Sequence, residues 1–183
     1  MNPNNLKNIF SVKNISLIAL FVAVISVCSW INVPSVVPFT LQICGIYLCI
    51  FLLNPIRSFV CIAIYLLMGL IGVPIFSNFS GGIGSFLGPT GGFLFSFIFL
   101  PIFYYPFNRF VKNKIFAMSM FSLFSLFFVY MCGSLWFAFV WSAGSGNFLG
   151  ALNICVFPYI GFDVLKIAFA IVASIRLYSV INK

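Results

Sequence analysis

The sequence predicts an all-α integral membrane protein with six transmembrane helices and a glycine-rich outer loop between the third and fourth. Of its 183 residues, 63% are hydrophobic and 5% are charged, whereas about 25% of the residues of a soluble domain are usually charged. At about 20 residues for each helix that crosses a bilayer, the length allows six spans joined by short loops. We therefore expect a single six-helix transmembrane domain over residues 1–183.

Polar residues and prolines divide the chain into six apolar segments, at residues 15–31, 40–53, 59–73, 93–107, 115–140 and 162–181. As a helix the second segment is only about 21 Å long. Because a hydrocarbon core is about 30 Å thick, this segment needs local thinning of the bilayer or cover from other helices. A glycine-rich stretch at 77–92 joins the third and fourth segments, and a Gly/Ser/Asn loop at 142–150 precedes a return of the chain near residue 157.

Basic residues occur in alternate connections, which is typical of cytoplasmic loops. With six spans, one side receives Lys7, Lys13, Arg57, Arg109, Lys112, Lys114, Arg176 and Lys183. The connections of the other side, at 32–39, 75–92 and 142–159, carry no charge. The sequence therefore predicts a multi-pass protein of the cell inner (cytoplasmic) membrane, surrounded by the lipid bilayer, with both termini cytoplasmic.

The composition offers little for enzymatic chemistry. The chain has no His and one acidic residue, and its six cysteines form no C-x-x-C pair. We therefore expect no enzyme, no metal site and no cofactor. A phosphate-binding G-x-x-x-x-G-K-[ST] loop is absent, so ATP hydrolysis by this chain is not expected. The net charge of +8 is spread over several loops, which indicates no nucleic-acid partner.

The acidic residue, Asp163, lies three positions before Lys166 in the last apolar segment. A charge at membrane depth costs about 2.5 to 3.5 kcal/mol on insertion scales, so such residues are usually paired, face a cavity, or have a function. Side chains at i and i+3 lie on one face of a helix. The spacing predicts a paired carboxylate and ammonium near the outer end of the last helix, in a cavity that opens outward.

The glycine-rich stretch is the second candidate for function. Glycine allows tight folding and brings backbone N–H and C=O groups close to a ligand. Irregular backbone at membrane depth occurs only where protein covers it or where it lines a cavity. Three phenylalanines, Phe76, Phe79 and Phe86, favour a lid over a solvated linker.

Three motifs in this order resemble the BioY family, the biotin-binding substrate-capture (S) components of energy-coupling-factor (ECF) transporters. They are V-P-F-T-L-Q at 37–42, the stretch at 81–92 that ends in G-P-T-G-G, and D-x-x-K at 163–166. The resemblance covers essentially the whole chain and implies uptake of biotin from the outer side and its delivery inward. Two departures are Phe93, where the family often has Tyr, and I-G-F at 160–162, where a Pro is common.

The resemblance implies a set of ligand-binding residues. Asp163 would accept the ureido N–H groups of biotin, and Asn78 would meet the ureido edge or the acid tail. Lys166 would either neutralise Asp163 or meet the ligand's carboxylate or ureido oxygen. Further contacts would come from Gln42, Thr90, Gly91, Gly92 and Tyr159, and apolar packing from Phe39, Phe79 and Phe86.

Structural alternatives stay open for several of these residues. Asp163 also suits a helix N-terminus, with Lys166 as its neutralising partner. Gln42 could bond a neighbouring helix instead of a ligand. Asn78 is a common turn former, and Tyr159 could be an interfacial anchor.

Ala19 and Ala23 form a small-xxx-small pair in the first helix, which allows another helix to approach closely. The resemblance implies that this pair docks to an ECF transmembrane coupling subunit, which is itself bound to ATPase subunits. Packing inside the bundle is the alternative. Two other functions stay open: an S component for another vitamin, and a structural membrane subunit in which Asp163 and Lys166 only fix helix packing.

Overall fold

A computed structural model describes residues 11–141 and 147–181. Within those ranges the chain forms nine α-helices: α1 (Val12–Trp30), α2 (Gln42–Leu52), α3 (Pro55–Leu70), α4 (Ile83–Leu87), α5 (Gly91–Phe97), α6 (Leu100–Phe110), α7 (Lys114–Trp136), α8 (Phe148–Cys155) and α9 (Ile160–Ile181). A 3₁₀ turn, Ser77–Phe79, precedes α4, and a π-helical turn, Phe137–Trp141, extends α7. The predicted helical fold class is confirmed. Lys7 and Lys183 lie outside the described residues.

One short hairpin interrupts the helices. Strands β1 (Asn32–Val33) and β2 (Phe39–Thr40) are antiparallel, with Asn32 opposite Thr40 and Val33 opposite Phe39. The hairpin joins α1 to α2 and places residues 34–38 at its tip. Two prolines, Pro34 and Pro38, keep this connection out of a helix because they fix φ and lack an N–H donor.

Three helical stretches are long and apolar enough to cross a membrane: Val12–Trp30, Gly91–Phe110 and Lys114–Trp141. Helices α8 and α9 form a further candidate, a broken span bent by 53°. Helices α2 and α3 are apolar but shorter. By length and composition the described residues thus contain three or four spans. A count of six transmembrane helices would also include α2 and α3, and it remains a prediction.

Helix α2 lies inside the bundle. Gln42 and most of the residues that follow it in this helix are buried, and the helix packs chiefly against α9 and α1. At 11 residues it is too short to cross a hydrocarbon core alone. The structure shows that neighbouring helices cover α2. Such cover was one of the two conditions that the sequence predicted for this segment.

Two segment boundaries differ from the predictions. The segment 93–107 is divided into α5 and α6, because Pro101 in the first turn of α6 has no N–H to continue the ladder of hydrogen bonds. The predicted loop 142–150 ends early, because α8 begins at Phe148. The Asn147 side chain caps it by accepting a hydrogen bond from the Gly150 N–H at 2.8 Å.

Apart from Lys166, the basic residues that the structure describes lie toward one end of the bundle, which we call the charged end. Helices α1 and α3 run parallel: Cys61 Sγ lies 3.6 Å from the Ile18 carbonyl oxygen, and beyond their other ends Trp30 Nε1 donates to the Pro74 carbonyl at 3.0 Å. Lys13 and Arg57 therefore share an end. At the start of α7, Lys114 Nζ lies 3.0 Å from the centre of the Tyr178 ring near the end of α9. The opposite end carries the hairpin and the glycine-rich stretch.

Candidate ligand-binding site

A cavity lies at the end of the bundle opposite the charged end. The starts of α2, α5 and α9 meet there with the hairpin and with the later part of α7. Its empty volume, with the open mouth included, is about 680 Å³. It is lined by Val37, Pro38, Phe39, Thr40, Gln42, Ile43, Phe76, Ser77, Thr90, Phe93, Leu94, Phe97, Val129, Tyr130, Cys155, Tyr159, Asp163 and Lys166.

Asp163 and Lys166 form an ion pair on this cavity. Lys166 Nζ lies 2.7 Å from Asp163 Oδ1, as the i, i+3 spacing predicted. Asp163 is 7% exposed and Lys166 is 8% exposed. Breaking such a buried pair by removing one partner usually costs about 3 to 5 kcal/mol, because the remaining charge is buried without compensation.

Tyr130 completes the environment of the carboxylate. Its hydroxyl donates a hydrogen bond to Asp163 Oδ2 at 2.5 Å, so each carboxylate oxygen accepts one bond from the protein. An ionised carboxylate offers about four lone-pair sites. The remaining sites leave Asp163 able to accept hydrogen bonds from a ligand.

Lys166 also holds the hairpin. Its ammonium donates a second hydrogen bond to the Thr40 carbonyl oxygen at 2.7 Å and lies 3.4 Å from the centre of the Phe39 ring. A cation over an aromatic face is attracted by the ring's quadrupole. A single buried side chain on α9 therefore fixes strand β2 at the mouth of the cavity.

Aromatic contacts reinforce the connection between the hairpin and α9. Phe39 stacks on Tyr159 with 5.5 Å between ring centroids and meets Phe162 edge to face at 5.4 Å. The hydroxyls of Tyr159 and Ser35 are 3.0 Å apart and share a hydrogen bond. Tyr159 thus contacts both strand β2 and the hairpin tip, in addition to lining the cavity.

Gln42 lies at the start of α2 and takes part in a buried polar network. Its amide Nε2 donates to the Tyr65 hydroxyl on α3 at 2.9 Å, and Tyr65 donates to the Ile75 carbonyl at 3.1 Å. Ser29 on α1 donates to the same carbonyl. Gln42 therefore bonds a neighbouring helix, as one of the sequence hypotheses held, while it also lines the cavity.

The glycine-rich stretch is tied to α3 and α7. The Gly82 N–H donates to the Gly69 carbonyl at 2.6 Å, and Trp136 Nε1 donates to the Gly88 carbonyl at 3.0 Å. A Cβ at Gly91 would collide with the Phe86 carbonyl oxygen, and a Cβ at Gly92 would collide with Trp136. These glycines permit close approach of α5 to α7, which places Thr90 on the cavity.

The structure brings six of the predicted ligand-binding residues to the cavity: Phe39, Gln42, Thr90, Tyr159, Asp163 and Lys166. It does not place Asn78, Phe79, Phe86, Gly91 or Gly92 among the lining residues. Asn78 and Phe79 are exposed and have left-handed φ angles of 55°. Phe86 is buried between Phe76 and Phe95.

Sequence reasoning missed several lining residues, above all Tyr130. It lies 33 residues before its partner Asp163, inside a continuous apolar run, so no spacing rule connects the two. Ser77 and Phe93 were noted in the sequence without being assigned to the site. A polar hydroxyl in the middle of an apolar span is the one signal that could have drawn attention to Tyr130.

The arrangement suits a small ligand that is polar at one end and apolar elsewhere. One carboxylate, one ammonium, an amide and several hydroxyls converge among aromatic and aliphatic side chains, which is the usual composition of a specific small-molecule pocket. In the part of the chain that the structure describes, no three His, Cys, Asp or Glu side chains cluster to hold a metal ion.

Comparison with known proteins gives a family and a fold. The model of the BioY family matches residues 2–183. The "Probable biotin transporter BioY" of Pyrococcus horikoshii is 37% identical over 171 residues, which are 90% of this chain and 96% of that protein. The "Biotin transporter BioY" of Thermotoga maritima is 32% identical over 166 residues, 86% of this chain and 91% of that protein.

A solved structure has the same fold. It is the crystal structure of the S-component for biotin from an ECF-type ABC transporter, with a TM-score of 0.80 and 26% sequence identity. The match covers 98% of this chain and 95% of that one. The single helical bundle, its hairpin and its glycine-rich stretch thus belong to a fold that an S-component also adopts.

Proposed function

Because this chain belongs to the BioY family, we propose that it is a biotin transporter of the S-component type. It captures biotin from the outer side of the membrane and delivers it inward with an ATP-driven ECF module. The observation that carries this proposal is the Asp163–Lys166 pair, which faces a cavity at the end of the bundle that is free of basic loops. Transport rather than catalysis is the role of such a component.

The cavity offers groups that match each part of biotin. The fused ureido ring has two N–H donors, and Asp163 has lone pairs that the protein leaves unused. Lys166 is paired with this carboxylate and lies beside it, where it can meet the ureido oxygen or the acid tail. Gln42, Ser77 and Thr90 supply further polar contacts around the rim.

The apolar part of biotin needs an apolar wall. Phe93, Leu94 and Phe97 on α5 and Val129 on α7 provide it, with Phe39 from the hairpin. Burying apolar ligand surface against such side chains contributes about 25 cal/mol for each Å² removed from water. We assign the thioether ring and the valeryl chain to this wall.

A structural subunit without a ligand is the weaker alternative. In that case Asp163 and Lys166 would only hold α9 to α7 and to the hairpin, through Tyr130 and Thr40. Both side chains also line the cavity, which favours a ligand-binding role. A different vitamin is the second alternative, and it would keep the fold and change the ligand.

Isothermal titration of the detergent-purified chain with biotin, thiamine and riboflavin in parallel tests the proposal. We expect tight, one-to-one heat with biotin alone. Heat with another vitamin and none with biotin would retain the fold and overturn the substrate. No heat with any of the three, in a sample that unfolds cooperatively, would support the structural alternative.

Coupling to other subunits belongs to the same proposal. Ala19 and Ala23 are exposed on one face of α1, so packing inside the bundle does not occupy them. A face of small residues allows a helix of another protein to approach closely. We assign this face to the ECF transmembrane coupling subunit, which the ATPase subunits join.

The double variant Ala19→Leu/Ala23→Leu should lower biotin uptake by cells that contain the ECF module, with little change in biotin binding to the purified chain. The matched control is Ala168→Leu, since Ala168 is an exposed alanine on α9. Equal uptake by the double variant and the control would contradict this docking face.

A further inference from the structure

We propose that a cleft at the charged end binds one anionic phospholipid, with an acyl chain in the cleft and the phosphate beside Lys114. This cleft, here called the basal cleft, lies between the start of α7 and the end of α9. Its empty volume, with the open mouth included, is about 440 Å³. It is lined by Lys114, Ile115, Met118, Ser174, Ile175 and Tyr178. This inference does not depend on the identity of the ligand at the opposite end.

The lining is suited to a hydrocarbon chain. Ile115, Met118 and Ile175 present apolar side chains, and the Ser174 hydroxyl is already bonded to the Ile171 carbonyl at 2.7 Å. The groove has apolar walls, which suit an acyl chain, and a cation at one edge, which suits a phosphate group. A free phosphate would gain nothing from these walls.

Lys114 at the edge of the basal cleft, and two cations that are near it in the sequence, have no carboxylate side chain to neutralise them. Arg109, Lys112 and Lys114 are exposed and lie within six residues of one another. The one acidic residue of the chain, Asp163, is bonded to Lys166 at the opposite end. The contacts found for Lys114 and Arg109 are with neutral groups, the Tyr178 ring and the Tyr105 hydroxyl.

The depth of the cleft fits the headgroup layer. Lys114 is the first residue of the apolar stretch Lys114–Trp141, so we expect its ammonium near the boundary between the hydrocarbon core and the phosphate groups. The basic loops predict the cytoplasmic face for this end. Basic pockets between helices on that face are suited to anionic headgroups.

Native mass spectrometry of the detergent-purified chain, with phosphatidylglycerol or phosphatidylcholine added at equal concentration, tests the proposal. We expect one phosphatidylglycerol to be retained in preference to phosphatidylcholine. Lys114→Gln should lower that retention about five-fold, the effect of about one basic residue near an anionic headgroup. Arg57→Gln, which removes a cation at the same end but outside the basal cleft, should leave it unchanged.

A second pair of variants separates the cleft from the charge. Ile175→Trp should fill the basal cleft and lower retention although every cation stays, while Val172→Trp, at an exposed position of α9 outside the cleft, should not. Equal loss in Lys114→Gln and Arg57→Gln would show only diffuse attraction and overturn the site. So would equal retention of the two lipids, or displacement of phosphatidylglycerol by soluble glycerol phosphate at millimolar concentration.

Discussion

The carboxylate of Asp163 is held by two donors of different kinds, an ammonium and a phenol. Lys166 supplies the charge, and Tyr130 fixes the second oxygen from a different helix. The two donors orient the carboxylate before a ligand arrives, which reduces the ordering needed on binding.

Asp163→Asn should weaken biotin binding by about ten-fold to a hundred-fold, since hydrogen bonds to a charged group contribute about 1.5 to 3 kcal/mol. Isothermal titration measures the change. Asn78→Gly is the matched control, because Asn78 is exposed outside the cavity and glycine adopts its left-handed φ without strain. Equal affinity of Asp163→Asn and the wild type would refute the role of this carboxylate.

The double variant Asp163→Asn/Lys166→Met should unfold at a higher temperature than Asp163→Asn alone. The single change leaves a buried ammonium without its partner, whereas the double change removes both charges. Thermal unfolding in detergent compares the two proteins. A double variant less stable than the single one would show that the ammonium does not need its partner.

Tyr130→Phe should weaken biotin binding by about ten-fold and leave the bundle folded, because it removes one charge-assisted hydrogen bond and no ring packing. Tyr105→Phe is the control: it removes a hydroxyl that bonds Arg109 at the charged end. If both variants bind biotin equally well, the hydrogen bond from Tyr130 to Asp163 does not contribute to biotin binding.

Sequence patterns predicted the short-range part of this site and missed the long-range part. The Asp163–Lys166 contact follows from helical spacing. The partners Tyr130 and Thr40 approach only through the packing of separate elements. Asn78 was predicted to meet the ligand from its residue type; in the structure it is exposed, has a left-handed φ angle and is not among the lining residues of the cavity.

At the scale of elements, close packing of α5 against α7 positions one wall of the cavity. Gly91 and Gly92 were predicted as ligand contacts through their backbone, and the structure shows a packing role for both. Trp136 contributes twice, by contact with these glycines and by its hydrogen bond to Gly88.

Gly91→Ala should destabilise the protein by about 1 to 3 kcal/mol or more, the usual range for an overpacked site, and should lower biotin affinity because Thr90 would move. The matched control is Gly84→Ala in α4, where an added Cβ meets no atom within 4 Å. Thermal unfolding and titration report the two effects. A Gly91→Ala protein as stable as the control would contradict this account of the wall.

The start or end of a helix could be predicted where a residue such as proline determines it. Pro55 starts α3 at the first helical position that proline favours. Helix α8 was missed because its surroundings are rich in Gly, Ser and Asn, and its capping residue Asn147 is also typical of loops. The shortness of α2 was correctly linked to burial by its neighbours.

At the scale of the whole molecule, the distribution of charge divides the bundle into two ends with different tasks. Basic loops occupy one end, and a cavity with its own balanced charges occupies the other. The sequence predicted this division because basic and uncharged connections alternate along the chain. The Lys and Arg residues that indicate the cytoplasmic side lie in short loops, so they can be read from the sequence alone.

Reporter fusions at each terminus should show both termini in the cytoplasm, because the basic connections favour retention there. Two reporter proteins measure the orientation, one active only in the cytoplasm and one active only on the outer side, each fused in turn to the same position. The control is a fusion in the charge-free connection after Trp141, which should report the outer side. An outward signal from either terminus would overturn the predicted orientation.

The two hydrogen bonds of Lys166 have a kinetic consequence. The same ammonium that compensates Asp163 also latches strand β2 through the Thr40 carbonyl. We therefore expect a substitution at position 166 to change the hold on the hairpin together with the affinity for the ligand. We therefore expect entry rate and residence time to change together at this position. Ser35→Ala, in contrast, removes a hairpin contact with Tyr159 from outside the cavity lining and leaves the Asp163–Lys166 pair in place.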